Sequence, residues 1–290
     1  GFALQFALET LRDDSQPMHS VVVMIDADCR LGKDAVNRLV TAAQVTGRPV
    51  QSLYRIGRGE EKSPSRMLSY LAITIKNHIR PLALRRMGMG NLLTGSGMAF
   101  PTATLRHVSL DSDNTADDVE LGCELAMRGA IPTFCPDAVI DSAFPNESED
   151  QGVQRKRWIH GHLRTMANFT PRLLWNGIRR FDGRQWIYAL ELAVPPLSLL
   201  VAAGLLLLPI TATLVVLGQS PIQFGAVAVS LTLLTSSVLL SWLAFAKNEV
   251  PLRVLARLPQ HLVFGVAASG QSLIRRQGWV NTPRSNSEVR

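Results

Sequence analysis

The sequence predicts an α/β domain that leads into a set of apolar helices. Three observations predict it. Strand-like runs of β-branched residues alternate with helical stripes through residues 1–150. Two long apolar runs follow residue 186, in a chain that is 47% apolar and only 18% charged. Between them lies a basic, aromatic block over residues 151–185. The expected organisation is therefore a catalytic-type domain over 1–150, a connecting segment over 151–185 and a membrane region over 186–290.

The elements follow in order. Phe2, Leu4, Phe6, Ala7 and Leu11 have helical spacing over residues 2–11. Val21 to Ile25 is an unbroken β-branched and apolar run, which reads as a buried strand, and it ends in Asp26 and Asp28. Residues 33–46 form an amphipathic helix with Val36, Leu39, Val40 and Ala43 inward, stopped by Gly47. Val50 to Ile56 is the next strand, giving a β-α-β order. Met67, Leu68, Leu71, Ile75 and Ile79 make a helical stripe over 66–80 that ends at Pro81. A glycine-rich strand and turn, Leu93 to Phe100, precedes an acidic helix that opens at Asp117-Asp118 and closes at Gly129. Pro132 to Ile140 supplies one more strand.

The second half has a different character. From Gln151 to Gln185 there are eight Lys or Arg against one acid, Asp182, with Trp158, Phe169 and Trp175 interleaved. Such a pattern suits helices lying on a membrane face, with basic residues toward lipid headgroups. His160 and His162 are expected in a polar cleft as structural residues rather than metal ligands. Ile187 to Leu217 is apolar except for Glu191, with Pro195-Pro196 breaking it near its entry, and Phe224 to Phe245 is a second run. Lys and Arg lie before the first run and after the second, with none between, so both outer ends are expected in the cytoplasm and residues 218–223 outside. Residues 252–276 are an interfacial helix or a partial third span, and the tail from Arg284 is polar.

Charge and cysteine usage exclude some classes. The net charge of +7 comes without any nucleic-acid-binding signature, so an anionic leaflet or anionic substrate is the expected partner. Three scattered cysteines, Cys29, Cys123 and Cys135, form neither a disulfide framework nor a structural zinc site.

Four groups carry candidate chemistry. Asp26 and Asp28 stand where α/β sheets place ligands, and two carboxylates there suit a hard cation such as Mg2+ or Mn2+; a turn or helix cap near Gly32 and Asp34 is the plain alternative. Asp117 and Asp118 are adjacent carboxylates, one of which can be held as a proton acceptor, or else they merely favour a helix N-terminus. Gln154, Arg157 and Trp158 combine hydrogen-bond donors with an aromatic face, suited to an anionic leaving group beside a sugar ring, or they form a solvated basic turn. Gly95 and Gly97 allow close approach of backbone to a ligand, or mark a tight bend.

Taken together, Asp26-Ala27-Asp28, Ala116-Asp117-Asp118 and Gln154-Arg155-Lys156-Arg157-Trp158 resemble the DxD, (T/A)(E/D)D and QxxRW series of membrane-bound family 2 glycosyltransferases, such as cellulose synthase-like, hyaluronan synthase-like and ceramide glucosyltransferase-like enzymes. The segment Leu93-Thr94-Gly95-Ser96-Gly97-Met98-Ala99-Phe100 is similar to the glycine-rich turn of that family. Ala-Asp-Asp in place of Thr-Glu-Asp resembles the ceramide glucosyltransferase form. The family's first strand and first Asp have no counterpart, so the chain is expected to be an N-terminally truncated member with an incomplete GT-A (Rossmann-like) domain. The resemblance implies an inverting transferase that moves a sugar from a nucleotide-sugar, most often a UDP-sugar, to a polysaccharide or lipid acceptor at the cytoplasmic face of the inner membrane. It implies Asp118 as base, Asp28 and Asp26 as ligands of Mg2+ or Mn2+, and Asp117 as an orienting group. Gln154 and Arg157 would contact the diphosphate, with Trp158 under the acceptor. Two other readings remain: a strand-end DxD phosphatase, in which Cys29 and the QxxRW residues have no place, and an inactive membrane assembly subunit.

Overall fold

Five strands form one mixed sheet in the computed structural model, which describes residues 6, 9–10, 20–57, 63–106, 108, 116–143, 148–255 and 257, with the backbone alone for 148–157. Most of the helix expected over 2–11, most of 252–276 and the tail lie outside the described residues. The strands are β1 (Val21–Met24), β2 (Arg30–Leu31), β3 (Val50–Ile56), β4 (Met98–Pro101) and β5 (Thr133–Ser142), in the spatial order β1-β4-β3-β5-β2. β4 runs antiparallel to both β1 and β3, β3 is parallel to β5, and β2 is antiparallel to β5. This is the α/β class expected, and β3 spans the residues expected of it.

The sheet differs from expectation at β1. Val21, Val22 and Val23 are only half-buried, because among the described residues β1 has a single neighbour, β4, and stands at the end of the sheet. A continuous β-branched run signals a strand correctly, but full burial also needs strands on both sides. The register pairs Met24 with Met98, which brings the turn before β4 to the end of β1 where Asp26 begins.

Helix α1 (Ala35–Thr46) packs its Ala35, Leu39 and Ala43 stripe on the sheet, against Val50, Ala99 and Ile140. Val36, expected inward, sits beside that stripe at the surface, since the buried line runs i, i+4, i+8 from Ala35. Fully burying each aliphatic side chain here contributes about 1.5–3 kcal/mol. Across β3 and β5, Arg55 donates to both oxygens of Asp141 at 2.7 and 2.6 Å, a two-pronged pair at matched register.

Helix α2 (Pro64–Thr74) starts at Ser63, whose hydroxyl accepts from the Arg66 N–H. It does not stop at Pro81. A π-helical turn (Ile75–Ile79) follows, then α3 (Arg80–Arg86), with Pro81 in the first turn of α3 where its missing N–H costs nothing. The wide turn restarts the helix in a register that accepts the proline. A short α4 (Thr102–Leu105) leaves β4, and α5 (Asp117–Met127) carries the acidic pair in its first turn.

Residues 151–185 take in most of one long helix, α6 (Ser148–Arg180), then a break at Phe181 and Asp182, then the start of α7 (Gly183–Leu192). Asp182 caps α7 by accepting from the N–H groups of Arg184 and Gln185. The expected first apolar span begins too early: Tyr188, Ala189 and Leu192 are fully buried against α5 and α6, so α7 belongs to the globular core. Glu191 is paired there with Arg80 at 2.8 Å. The break at Pro195-Pro196 separates that core from α8 (Leu197–Val216), which is followed by α9 (Ile222–Ser241) and a π-helical extension (Trp242–Ala246). Leu197–Val216 and Ile222–Ala246 have mean hydropathies of 2.5 and 1.9, and almost nothing of either is buried within the protein. Twenty residues of helix reach about 30 Å, the thickness of a bilayer core, so both are long and apolar enough to cross one. α10 (Leu252–Leu255) and Val250 then pack on Leu68 and Leu71 of α2, tying the hairpin back to the domain.

Candidate active site

The loop after β1 presents its carboxylates outward. The Cys29 N–H bonds the Asp26 carbonyl at 3.1 Å, closing a turn over Ala27 and Asp28. Asp26 and Asp28 are exposed, and one ligand atom each from Asp26, Asp28 and Cys29 lie within 4.8 Å of one another. Neither aspartate is a helix cap: α1 is preceded by Asp34, in a left-handed conformation, whose side chain makes no capping bond. Two hard carboxylate oxygens on one turn fit a divalent cation of the Mg2+ or Mn2+ type. Burial, then Asp26 and Asp28, push the Cys29 thiol up, while its bond to Ser96 opposes them, so it stays an S–H and donates to Ser96 Oγ at 3.2 Å.

Ser96 is the hinge of the arrangement. Its buried hydroxyl also accepts from the Asp26 N–H at 2.9 Å, and the Gly97 N–H bonds the Met24 carbonyl at 3.0 Å. The turn is held from beneath by Gln51 of β3, which donates to the Ser96 carbonyl and accepts from the Thr94 N–H at 2.9 Å. One residue before Ser96, Gly95 (φ 101°) faces the second acidic group: a Cβ there would stand 3.8 Å from Asp118 Oδ2 and 3.6 Å from Tyr54 Cε1. A single turn, Thr94–Gly97, thus lies against the Asp26–Asp28 loop on one side and Asp118 on the other. Gly97 (φ 77°) has a different use. Ser52 Oγ and Ile140 Cδ1 occupy the space its side chain would need, so it serves sheet packing at a tight bend.

Asp118 is the member of the acidic pair whose proton affinity the fold raises. Asp117, the first residue of α5, accepts the Asp118 N–H through Oδ1 at 3.1 Å, and Asp118 Oδ2 lies on the side of Gly95. Burial raises the Asp118 carboxyl to about 6; Lys76 opposes that, Asp117 adds to it, and the N–H groups of Val119 and Asp118 hold it back. Asp118 is half-buried, and Lys76 on the π-helical turn is exposed.

A family model described as glycosyl transferase family group 2 matches residues 21–247, a span that takes in every expected site residue from Asp26 to Trp158. The chain belongs to that family. No curated protein matches it. Among solved structures, it is similar to a mannosyltransferase from Pyrobaculum calidifontis in complex with GDP-Man and Mn2+, at 19% identity and a TM-score of 0.43. That match covers 91% of this chain and 66% of the other, so the chain spans a little under two-thirds of its length.

Within this family member the remaining expected residues lie on α6. Trp158 is partly exposed there, whereas the side chains of Gln154 and Arg157 lie outside the described ones. The two histidines do not share a cleft, because residues two apart on a continuous helix point to different sides. His162 Nε2 lies 3.2 Å from the Val194 carbonyl, and burial, then Lys76, push this imidazole down to about 4, so it is neutral. Among the described residues neither histidine joins a metal-ligand group.

Three residues of the site were not singled out in the sequence. Ser96 lay inside the glycine-rich motif, and Gln51 was a lone amide in an apolar strand, a signal that could have been used. Tyr54 carried no local signal, since nothing in sequence places β3 beside Gly95.

Proposed function

We propose that the chain is the catalytic part of an inverting glycosyltransferase that moves a sugar from a nucleotide-sugar to a glycan or lipid acceptor at a membrane face. The observation that carries this is the turn Thr94–Gly97, which contacts the Asp26–Asp28 loop through Ser96 and adjoins Asp118 at Gly95. Membership of the glycosyl transferase family supports it.

In this reading Asp118 accepts the proton of the acceptor hydroxyl as that oxygen attacks the anomeric carbon. The bond from the anomeric carbon to the diphosphate breaks on the opposite face, and the nucleoside diphosphate leaves with the electron pair. A carboxyl at about 6 is ionised at neutral pH yet basic enough to take a proton. Asp117 orients it by fixing the helix start. Asp26 and Asp28 would hold Mg2+ or Mn2+, which neutralises charge on the leaving diphosphate when bound. Gln154 and Arg157 would donate to the diphosphate, Trp158 would stack under the acceptor ring, and Gly95 leaves room beside the base. We assign the donor to the UDP-sugars. The helices Leu197–Val216 and Ile222–Ala246 would cross the membrane, with the basic α6 face on the cytoplasmic leaflet.

The test is release of nucleoside diphosphate from a panel of nucleotide-sugars by the protein in native membranes, with Mn2+ and with EDTA. Metal-dependent release and labelled sugar in a lipid or polymer fraction are expected. Metal-independent release of inorganic phosphate, with no sugar transferred, would replace this reading by a phosphatase.

A further inference from the structure

A pocket of about 140 Å3 lies where the α/β domain meets the foot of the apolar hairpin. β3 supplies Tyr54 and Arg55 to it, α2 and the π-helical turn supply Tyr70, Asn77 and His78, and the hairpin's π-helical extension supplies Phe245. Asn77 is only 5% exposed, and its Oδ1 has no hydrogen-bond partner among the described residues. The same amide is fixed through its other end, since Nδ2 donates to the Tyr54 carbonyl at 3.1 Å. The His78 ring meets Phe245 edge-on at 5.0 Å, a contact that spans the junction of domain and hairpin. Among the described residues that line the pocket there is no spare cation. Arg55 is committed to both oxygens of Asp141, and burial, then Arg55, push the His78 imidazole down, so it is neutral.

Each of these features selects a property of the occupant. A buried acceptor left unpaired is costly, so the pocket favours a ligand that brings an O–H or N–H to Asn77. Aromatic faces carry negative charge density, which suits the C–H face of a ring. The lack of an uncommitted cation selects against phosphate and carboxylate. A cavity of about 150 Å3 holds a benzene-sized ring, so one six-membered ring fits here. We propose that this pocket binds one neutral, hydroxylated ring, as an outer subsite that holds the acceptor at a distance from its reacting hydroxyl. Tyr54 connects the two places: its Cε1 would stand 3.6 Å from a Cβ at Gly95, the residue that adjoins Asp118. A free glycan end and a lipid headgroup at the foot of the hairpin share this chemistry. Only the word acceptor rests on the glycosyltransferase reading above; the ring site does not.

The experiment reads hydrogen exchange on the full-length protein in phosphatidylcholine nanodiscs, with no donor present. The probes are the methyl glycosides of glucose, galactose and mannose in solution, and the corresponding glycosyl diacylglycerols in the bilayer. Slowed exchange at residues 70–78 and around Phe245 is expected with at least one of them, and none with phosphatidylglycerol. Protection by a methyl glycoside marks a free glycan end as the source, and protection by a glycolipid alone marks a lipid headgroup. Thr74 lines the pocket at the end of α2. Thr74→Phe fills the space and should weaken binding about 10-fold or more, whereas Thr74→Val, of equal size, should keep it. If Thr74→Phe does not fold, Phe245→Ala serves instead, with a loss of about 3- to 10-fold from the missing ring face. No protection by any probe, or protection that these variants leave unchanged, overturns the proposal and leaves the pocket to water. Protection by phosphatidylglycerol alone overturns it too, by making this an anion site. A transfer assay separates the subsite from the enzymatic reading: Thr74→Phe should raise the acceptor KM and leave the donor KM unchanged. An unchanged acceptor KM with transfer intact removes the subsite while the protein stays a glycosyltransferase. Ring protection with no sugar transferred from any donor keeps the ring site and sinks the glycosyltransferase reading.

Discussion

At Asp118 a half-buried carboxylate stands in the first turn of a helix beside Gly95, and its variants separate proton transfer from binding. Asp118→Asn keeps size and shape but cannot accept a proton, so transfer should fall by about 100-fold or more while donor affinity changes little. An equal loss of donor affinity, read by calorimetry, would mean that the substitution deformed the site instead. In the unaltered protein, transfer should rise with pH through about 6 as Asp118 ionises, and the profile should lose that limb if another group is the base. Gly97→Ala tests the bend independently of chemistry. Its Cβ would meet Ser52 Oγ and stand 2.6 Å from Ile140 Cδ1, at a φ of 77°. Strain and overpacking of this kind cost about 1–3 kcal/mol, so a chemical melt should show a clear drop in midpoint.

Among the elements, the π-helical turn is the one whose role exceeds its length. It lets the helix run on through Pro81, and it delivers Asn77 to the Tyr54 carbonyl and His78 to Phe245. Asn77→Ala removes the donor to the Tyr54 carbonyl and leaves that buried acceptor unpaired, at a cost of about 1–3 kcal/mol. A melting temperature unchanged by this substitution would show that the anchor is dispensable. Helix α7 carries the opposite lesson. Its apolar residues look continuous with α8 in sequence, but Tyr188, Ala189 and Leu192 face α5 and α6, and only the Pro195-Pro196 break marks where the core ends.

The whole molecule joins an α/β domain to an apolar hairpin through Leu68, Leu71, Val250 and Leu255. The exposed faces of α8 and α9, including Leu206, Val216, Leu233 and Leu240, leave a surface that water does not favour. If the hairpin crosses a membrane with the domain inside, a cysteine placed at Gly218 in a Cys29→Ser background should react with an impermeant thiol reagent added outside intact cells. Protection at 218 with labelling at Lys247→Cys would invert the topology.

The sequence by itself determined four of the five strands, the helices over 33–46 and from Asp117, and the presence of two apolar runs, because periodicity, β-branching and composition are local properties. Val50–Ile56 and the acidic helix at Asp117 were legible for that reason. Only the tertiary structure decided that β1 stands at the end of the sheet, that α7 is core, and that Gly95 adjoins Asp118. Such facts depend on which elements pack together. The decisive one is the turn Thr94–Gly97, where residues about 70 positions from Asp26 and about 20 from Asp118 close one site through a serine hydroxyl and a missing Cβ.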